Sequence, residues 1–268
     1  MARAVAMATR NEEMAGRCLY ALSRGGKTIE FYVQRYPKEE MFAGKQVLDI
    51  GCGAGGKSLY YASLGASVVG VDVVESYAAE SRALCEKLGF AYGSQFTFEL
   101  GDAARLPFDD GRFDTVIMND AAEHVDKPEA VFREALRVLK PGGRVYINFP
   151  PYYHPFGAHL SDAVNMPWVH LFFSDATLVE VYKRLVAPLP DGASRIAFRI
   201  SRDANGKEYF SYINKMTLRR FGRILREMNL SPAYYREVPL RSFLAPFARL
   251  PGLRELFVKM AVCVLEKK

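Results

Sequence analysis

VLDIGCGAGGKSLYYASLGASVVGVDV, residues 47–73, carries the information from which the rest of the chain can be organised. Val47, Leu48 and Ile50 make a short apolar run suited to a buried parallel strand. Gly51, Gly53, Gly55 and Gly56 follow at once. Glycines directly after a strand permit positive φ and let the backbone lie against a ligand with no Cβ between them. Lys57–Leu64 has helical composition, and Gly65 stands where a left-handed C-cap is common. Val68, Val69 and Val71 form a second strand that ends at Asp72 and Val73. A carboxylate about twenty residues after such a turn can hold both hydroxyls of a ribose. The stretch therefore predicts a strand–turn–helix–strand unit that binds an adenosine-containing cofactor.

The choice of cofactor turns on Asp49. Gly51, Gly53 and Gly56 fit the G-x-G-x-x-G pattern, so a Rossmann-type oxidoreductase using NAD or FAD is the competing reading. A carboxylate beside the turn would repel a pyrophosphate. It suits a cofactor that carries an amino group and a sulfonium. DIGCGAGG (49–56) resembles motif I of the class I S-adenosylmethionine-dependent methyltransferases. GDA (101–103), LPFDDGRFD (106–114), EHV (123–125) and FREALRVLKPGG (132–143) resemble the same family in the same order, over roughly residues 44–150, with a core similar to the ubiquinone and menaquinone methyltransferases. The resemblance implies a Rossmann-like α/β fold, a seven-stranded, mostly parallel sheet with helices on both faces. It implies S-adenosylmethionine as cofactor, held by Asp49, Gly51, Gly53, Asp72, Val73, Asp102, Ala103 and Asn119. In that reading Asp102 accepts from the adenine amino group, the Ala103 backbone reads a ring nitrogen, and Asn119 points at the cofactor from the end of strand four. A plain helix-capping role is the other reading of Asp102.

Composition narrows the class. The chain has 268 residues, half of them hydrophobic, enough to bury a full core. No apolar run approaches the ~18 residues of a membrane span, and the N-terminus lacks the long apolar core of a signal peptide. Cys18, Cys52, Cys85 and Cys263 show no metal-type spacing and read as reduced thiols of a cytoplasmic protein. A net charge of +6 permits an anionic substrate or surface, but no Lys/Arg block points to nucleic acid.

Four segments are predicted. Residues 1–46 are a helical lead-in, with Met14, Cys18, Leu19 and Leu22 at helical spacing and Tyr20, Tyr32 or Tyr36 as candidates to close over the cofactor. Residues 47–149 are the cofactor-binding core: a helix over Ser76–Leu88, strands over Phe96–Leu100 and Phe113–Met118, a helix from Pro128 to Leu139, a Pro-Gly-Gly stop and a fifth strand over Val145–Phe149. Residues 150–214 are a cap inserted after strand five, because a structureless loop of that length is improbable. It is dense in aromatic residues and histidine, and its strand-like runs Arg195–Ile200 and Glu208–Ile213 flank an Asn205-Gly206 turn. Residues 215–268 complete the core with a Thr217-capped helix over Leu218–Met228 and strands over Tyr234–Val238 and Phe257–Leu265.

Methyl transfer from a sulfonium needs an aligned nucleophile and, for a hydroxyl, a base. His154, His159 and His170 cluster in the cap and are the candidate catalytic residues, a neutral imidazole being the natural base near neutral pH. Asp120, Glu123 and His124 are spaced to share one face of a helical turn and could hold a divalent cation that one of those histidines completes. The segment resembles the E-x-x-E-H run of the metal-dependent branch of the family, with Asp in place of the first Glu. A structural turn, as in metal-free relatives, is the other reading. Phe243, Leu244, Phe247, Leu250 and Leu253, mixed with Arg241, Arg249, Arg254 and Lys259, permit contact with a membrane surface, although Pro246 and Pro251 break any long amphipathic helix. The expected reaction is O-methylation of a small-molecule acceptor of aromatic, glycan-linked or isoprenoid type. N- or C-methylation and a non-catalytic cofactor-binding subunit are the alternatives.

Overall fold

The computed structural model describes residues 25–250 and 252–268. The predicted helical spacing around Met14–Leu22 and the candidate Tyr20 lie outside the described residues. Helix α1 covers residues 25–33. It is followed by α2 (Lys38–Phe42), β1 (Gln46–Ile50), α3 (Gly56–Ser63), β2 (Ser67–Asp72), α4 (Ser76–Leu88), β3 (Phe96–Leu100), β4 (Phe113–Asn119), α5 (Pro128–Arg137) and β5 (Leu139–Phe149). Beyond these lie α6 (Val169–Phe172), α7 (Asp175–Val186), α8 (Gly192–Arg199), β6 (Ile200–Arg202), β7 (Glu208–Phe210), α9 (Leu218–Glu227), β8 (Tyr234–Pro239) and β9 (Val258–Glu266), with three 3-10 turns between β8 and β9. Seven strands form one sheet in the order β3-β2-β1-β4-β5-β9-β8, and β6 and β7 form a separate antiparallel pair.

The chain divides into two compact units. The first comprises the described residues up to Asn119, with Ala130–Ile147 and Val264–Lys268. Here β1 lies parallel to β2 and β4, with Val47 opposite Val68 and Thr115, and β2 lies parallel to β3. Val47, Leu48, Ile50, Val68, Val71, Phe113, Val116 and Ile117 are all buried, which is why these strands read as apolar runs without alternation. Close packing under the Gly-rich turn requires Gly70 on β2, since a Cβ there would lie 2.7 Å from Cys52 Sγ.

The Pro-Gly-Gly run does not separate α5 from the fifth strand as expected. β5 starts at Leu139 and passes through it. Gly142 adopts φ +77°, its N–H donates to the Lys267 carbonyl at 2.7 Å, and the Lys267 N–H donates to the Gly143 carbonyl at 2.9 Å. A partner far along the chain supplies the ladder that the local turn signal would have broken.

The second unit, Asp120–Glu129 with Asn148–Cys263, has its own apolar cluster. Leu160, Val169, Leu178, Tyr182, Val186, Phe210 and Ile213 are buried in it. Thr217 caps α9 as predicted, accepting from the Arg220 N–H. The Asn205-Gly206 turn joins β6 to β7 with Gly206 at φ +79°. The strand expected at Arg195–Ile200 is instead helix α8 up to Arg199, and only Ile200 enters β6. The helical period places Arg195 and Arg199 one turn apart on a common partner, the Asp162 carboxylate, at 2.9 and 3.0 Å. Ile196 and Ile200 pack on the apolar cluster at the same spacing. No helix among the described residues is long and apolar enough to cross a membrane.

Candidate functional site

The Gly-rich turn of the first unit is built on β1, α3 and β2. Asp49, near the end of β1, is buried, and its Oδ2 accepts from Ser58 Oγ at 2.6 Å. Burial pushes its carboxyl up to about 6, while the Ser58 hydrogen bond and the Lys57 ammonium pull the other way. Gly53 adopts φ +56°, and a Cβ built on it meets nothing within 4 Å. Its N–H donates to Asp72 Oδ2 at 2.9 Å, and the Val74 N–H donates to Asp72 Oδ1 at 3.1 Å. One carboxylate thus ties the turn after β1 to the end of β2. Val73 beside it is exposed. After β3, Asp102 Oδ1 accepts from the Ala104 N–H at 2.8 Å within a turn that leads to β4 with no helix for it to cap, and Ala103 is buried. At the end of β4, Asn119 Nδ2 donates to Tyr61 Oη at 2.8 Å, and Tyr32 Oη donates to Asn119 Oδ1 at 3.3 Å.

These residues fit a nucleoside carrying a cationic chain. There is a carboxylate that ties the turn to the end of β2, a glycine face open to a ligand, and a buried acid that a nearby positive charge would ionise. Ser58 and Tyr61 were not singled out in the sequence. Both lie on α3 one or two turns past the glycines, where only the helix geometry shows which side chains return to the strand ends. Of the candidate closing tyrosines, Tyr32 and Tyr36 are buried, each packing edge-on against Tyr146 with ring centres 5.2 and 5.5 Å apart.

In the second unit, Glu123 and His124 lie in a turn closed by the His124 N–H donating to the Ala121 carbonyl at 2.9 Å. The helical turn expected over Asp120–His124 does not form. Asp120 adopts φ +53°, which breaks helical register before Glu123. Asn214 holds the segment, its Nδ2 donating to the Ala122 and Val125 carbonyls at 2.8 and 2.6 Å.

Among the described residues one group of three possible metal ligands appears, Glu123, His124 and His159, whose ligand atoms all lie within 4.8 Å of one another. Asp120 falls outside it. His159 Nε2 is 3.8 Å and His124 Nε2 3.9 Å from the same Glu123 Oε1. The His124 Nδ1 lies 2.6 Å from the Tyr212 carbonyl, which can only accept, so Nδ1 carries the proton and the neutral ring keeps its lone pair on Nε2. Tyr212 also acts on the other histidine. Its hydroxyl lies 2.6 Å from the His159 carbonyl, which Arg199 Nη1 meets at 2.6 Å as well. These contacts hold His159 at φ +54°, a conformation that costs a residue with a Cβ.

Burial, then the neighbouring His124, drives His159 down to about 3. His154 lies outside the cluster, its Nδ1 accepting from the Phe156 N–H at 3.1 Å, and burial lowers it to about 4. His170 packs against Tyr152 with ring centres 4.8 Å apart, and burial lowers it too. Of the three candidate histidines, His159 alone meets Glu123 and His124.

Residues 48–147 match the methyltransferase domain family. The chain is 36% identical over 104 residues to a tocopherol O-methyltransferase of Arabidopsis thaliana, covering 38% of this chain and 29% of that protein. It is 40% identical over 106 residues to a ubiquinone biosynthesis O-methyltransferase of Pseudomonas aeruginosa, covering 40% and 44%. The matched region thus spans less than half the length of these relatives. Among solved structures, the PH0226 protein of Pyrococcus horikoshii OT3 superposes over 90% of this chain and 89% of its own with a TM-score of 0.53 at 22% identity. That is a likeness of fold.

Proposed function

We propose, from the class I S-adenosylmethionine-dependent methyltransferase domain that residues 48–147 form, that this chain methylates an oxygen of a small-molecule acceptor. The observation that carries the reading is the turn in which one carboxylate, Asp72, joins Gly53 to the end of β2 beside the buried Asp49. S-adenosylmethionine, when bound, supplies an electrophilic methyl group on a sulfonium. Asp49, Gly51, Gly53, Asp72, Val73, Asp102, Ala103 and Asn119 are the residues assigned to hold it. Residues 150–214 are assigned as the cap that receives the acceptor. His159 is assigned as the base: its neutral Nε2 takes the proton of the acceptor hydroxyl, Glu123 steadies the imidazolium, and the proton passes to solvent. The acceptor is assigned as an aromatic, glycan-linked or isoprenoid-type hydroxyl, of which a phenol gives up its proton most readily. The names of the tocopherol and ubiquinone O-methyltransferases agree with an oxygen acceptor. A similar match to a sterol 24-C-methyltransferase of Gibberella zeae keeps carbon as the alternative atom.

One observation favours a second reading. Three ligand atoms within 4.8 Å, two of them on imidazoles, suit a divalent cation that would polarise the acceptor oxygen in place of a base. Calorimetric titration with S-adenosylmethionine and with NAD tests the cofactor, and binding of NAD alone overturns the proposal. With a panel of phenols as acceptors, His159→Ala should leave cofactor affinity within about twofold and lower kcat about 100-fold or more. Activity that survives excess EDTA supports the base. Activity lost to EDTA and restored by a divalent cation supports the metal. Turnover by His159→Ala equal to the parent makes the cluster structural.

A further inference from the structure

The connection between β8 and β9 reads LRSFLAPFARLPGL over Leu240–Leu253. Its only charged residues are Arg241 and Arg249. The structure turns four of its large apolar side chains outward: Phe243 is 73% exposed, Phe247 45%, Leu250 44% and Leu253 44%. Most exposed apolar residues are scattered singly and need no explanation. Here four fall within eleven positions of one loop.

The loop's backbone is not loose. Its 3-10 turns span Ser242–Leu244 and Phe247–Arg249, and a third, Arg254–Phe257, follows. The Leu244 N–H donates to the Arg241 carbonyl at 3.0 Å, the Leu250 N–H to the Phe247 carbonyl at 3.1 Å and the Leu253 N–H to the Leu250 carbonyl at 3.2 Å. The Leu240 N–H donates to the Phe257 carbonyl at 2.8 Å and closes the base, and Phe247 leans on Phe257 with ring centres 5.5 Å apart. The amides of Leu244, Ala245, Leu250 and Leu253 thus find partners inside the loop, which lowers the cost of bringing those groups into an apolar medium.

Basic residues outnumber acidic ones around the loop. Of the nearest acids, Glu237 is bound by the Arg254 guanidinium, and Glu255 accepts from the Arg219 N–H at 3.1 Å. That second bond joins the third 3-10 turn to α9, which exposes Arg219, Arg223 and Arg226. Lys259, at the start of β9, is exposed as well.

Apolar tips on turns closed by backbone hydrogen bonds, with basic residues in excess beside them, complement an anionic bilayer: hydrocarbon for the tips, phosphate for the arginines. We propose that Leu240–Leu253 is a membrane-inserting loop that seats this chain on an anionic phospholipid surface, with Phe243 and Leu250 entering the interface and Arg241 contacting headgroups. The proposal does not depend on the reaction assigned above.

The test is cosedimentation of the full chain with sucrose-loaded vesicles of phosphatidylcholine alone or mixed with phosphatidylglycerol. The parent should sediment with the mixed vesicles, weakly with phosphatidylcholine, and less at high salt. Phe243→Ser with Leu250→Ser, and separately Arg241→Glu, should each lower the vesicle affinity about tenfold or more, with unchanged thermal midpoints showing that they fold. Failure of the parent to bind the mixed vesicles overturns the proposal. So does parental binding by the serine variant, or binding indifferent to headgroup charge. A parent that ignores vesicles but self-associates through Phe243 would make the loop a protein interface and overturn it too.

Discussion

Asp49 shows what one side chain does in this fold. Its carboxyl is buried with Ser58 as hydroxyl donor, and burial raises it to about 6. A cationic ligand would favour the ionised form, so binding should release a proton wherever the unbound acid is protonated. The expected outcome is an affinity for S-adenosylmethionine that rises about tenfold between pH 5 and pH 7. Asp49→Asn should flatten that dependence, and calorimetry across the range reads both. A flat profile in the parent would remove Asp49 from the cofactor site. At this scale much was legible: Asp49 and Gly53 stand either side of the start of a short turn, Asp72 ends the strand after the next helix, and the structure joins Gly53 to Asp72 directly. Which of the three candidate histidines meets Glu123 was not legible, because the partners that place His159 there, Glu123, Arg199 and Tyr212, are 36 or more positions away.

Among the elements, α9 is the clearest success of local signals. Thr217 before a run with Leu218, Phe221, Ile224 and Leu225 on one face announces both the start and the buried side, and Thr217 Oγ1 accepts from the Arg220 N–H at 3.0 Å. Thr217→Ala should cost about 1 kcal/mol, read as a lower urea midpoint at unchanged slope. A midpoint equal to the parent's would show the cap to be dispensable. Helix α8 is the corresponding failure. Ile196, Phe198 and Ile200 alternate like a strand, and the same residues also suit a helix. The Asp162 carboxylate, gathering Arg195 and Arg199 from one helical face, settles the matter and cannot be seen from the segment itself. The strand through Pro141-Gly142-Gly143 failed for a related reason, its partner being Lys267.

Over the whole molecule, the buried histidines set the response to acid. His159 and His154 are held neutral, at about 3 and about 4, against roughly 6.5 in an unfolded chain. A folded value below the unfolded one gives stability that is present above about pH 6.5 and lost as pH falls toward the folded values. Asp49, raised rather than lowered, works the other way: its contribution is present below about pH 4 and lost as pH rises through about 6. Histidine should dominate, so the urea midpoint should fall between pH 7 and pH 5, with His159 alone contributing about 1–2 kcal/mol after allowance for its partial exposure. His159→Gln should flatten that stretch of the profile, and an unchanged slope would place the loss elsewhere.

What the sequence by itself determined is what short chain segments enforce: the strand–glycine turn–helix–strand unit, the acids at its two ends, the cap of α9 and the turn at Gly206. The cap and the turn depend on residues a few positions apart, and the whole unit lies within residues 47–73, so backbone sterics and short-range hydrogen bonds act there with little help from the rest of the chain. Only the tertiary structure decided that β5 runs through a Pro-Gly-Gly signal, that α8 is a helix, that Asp120 stays out of the cluster, and that His159 meets Glu123 and His124. Each of these rests on partners brought together from distant parts of the chain. Local propensity there is nearly balanced, and the pairing energy of the distant group tips it.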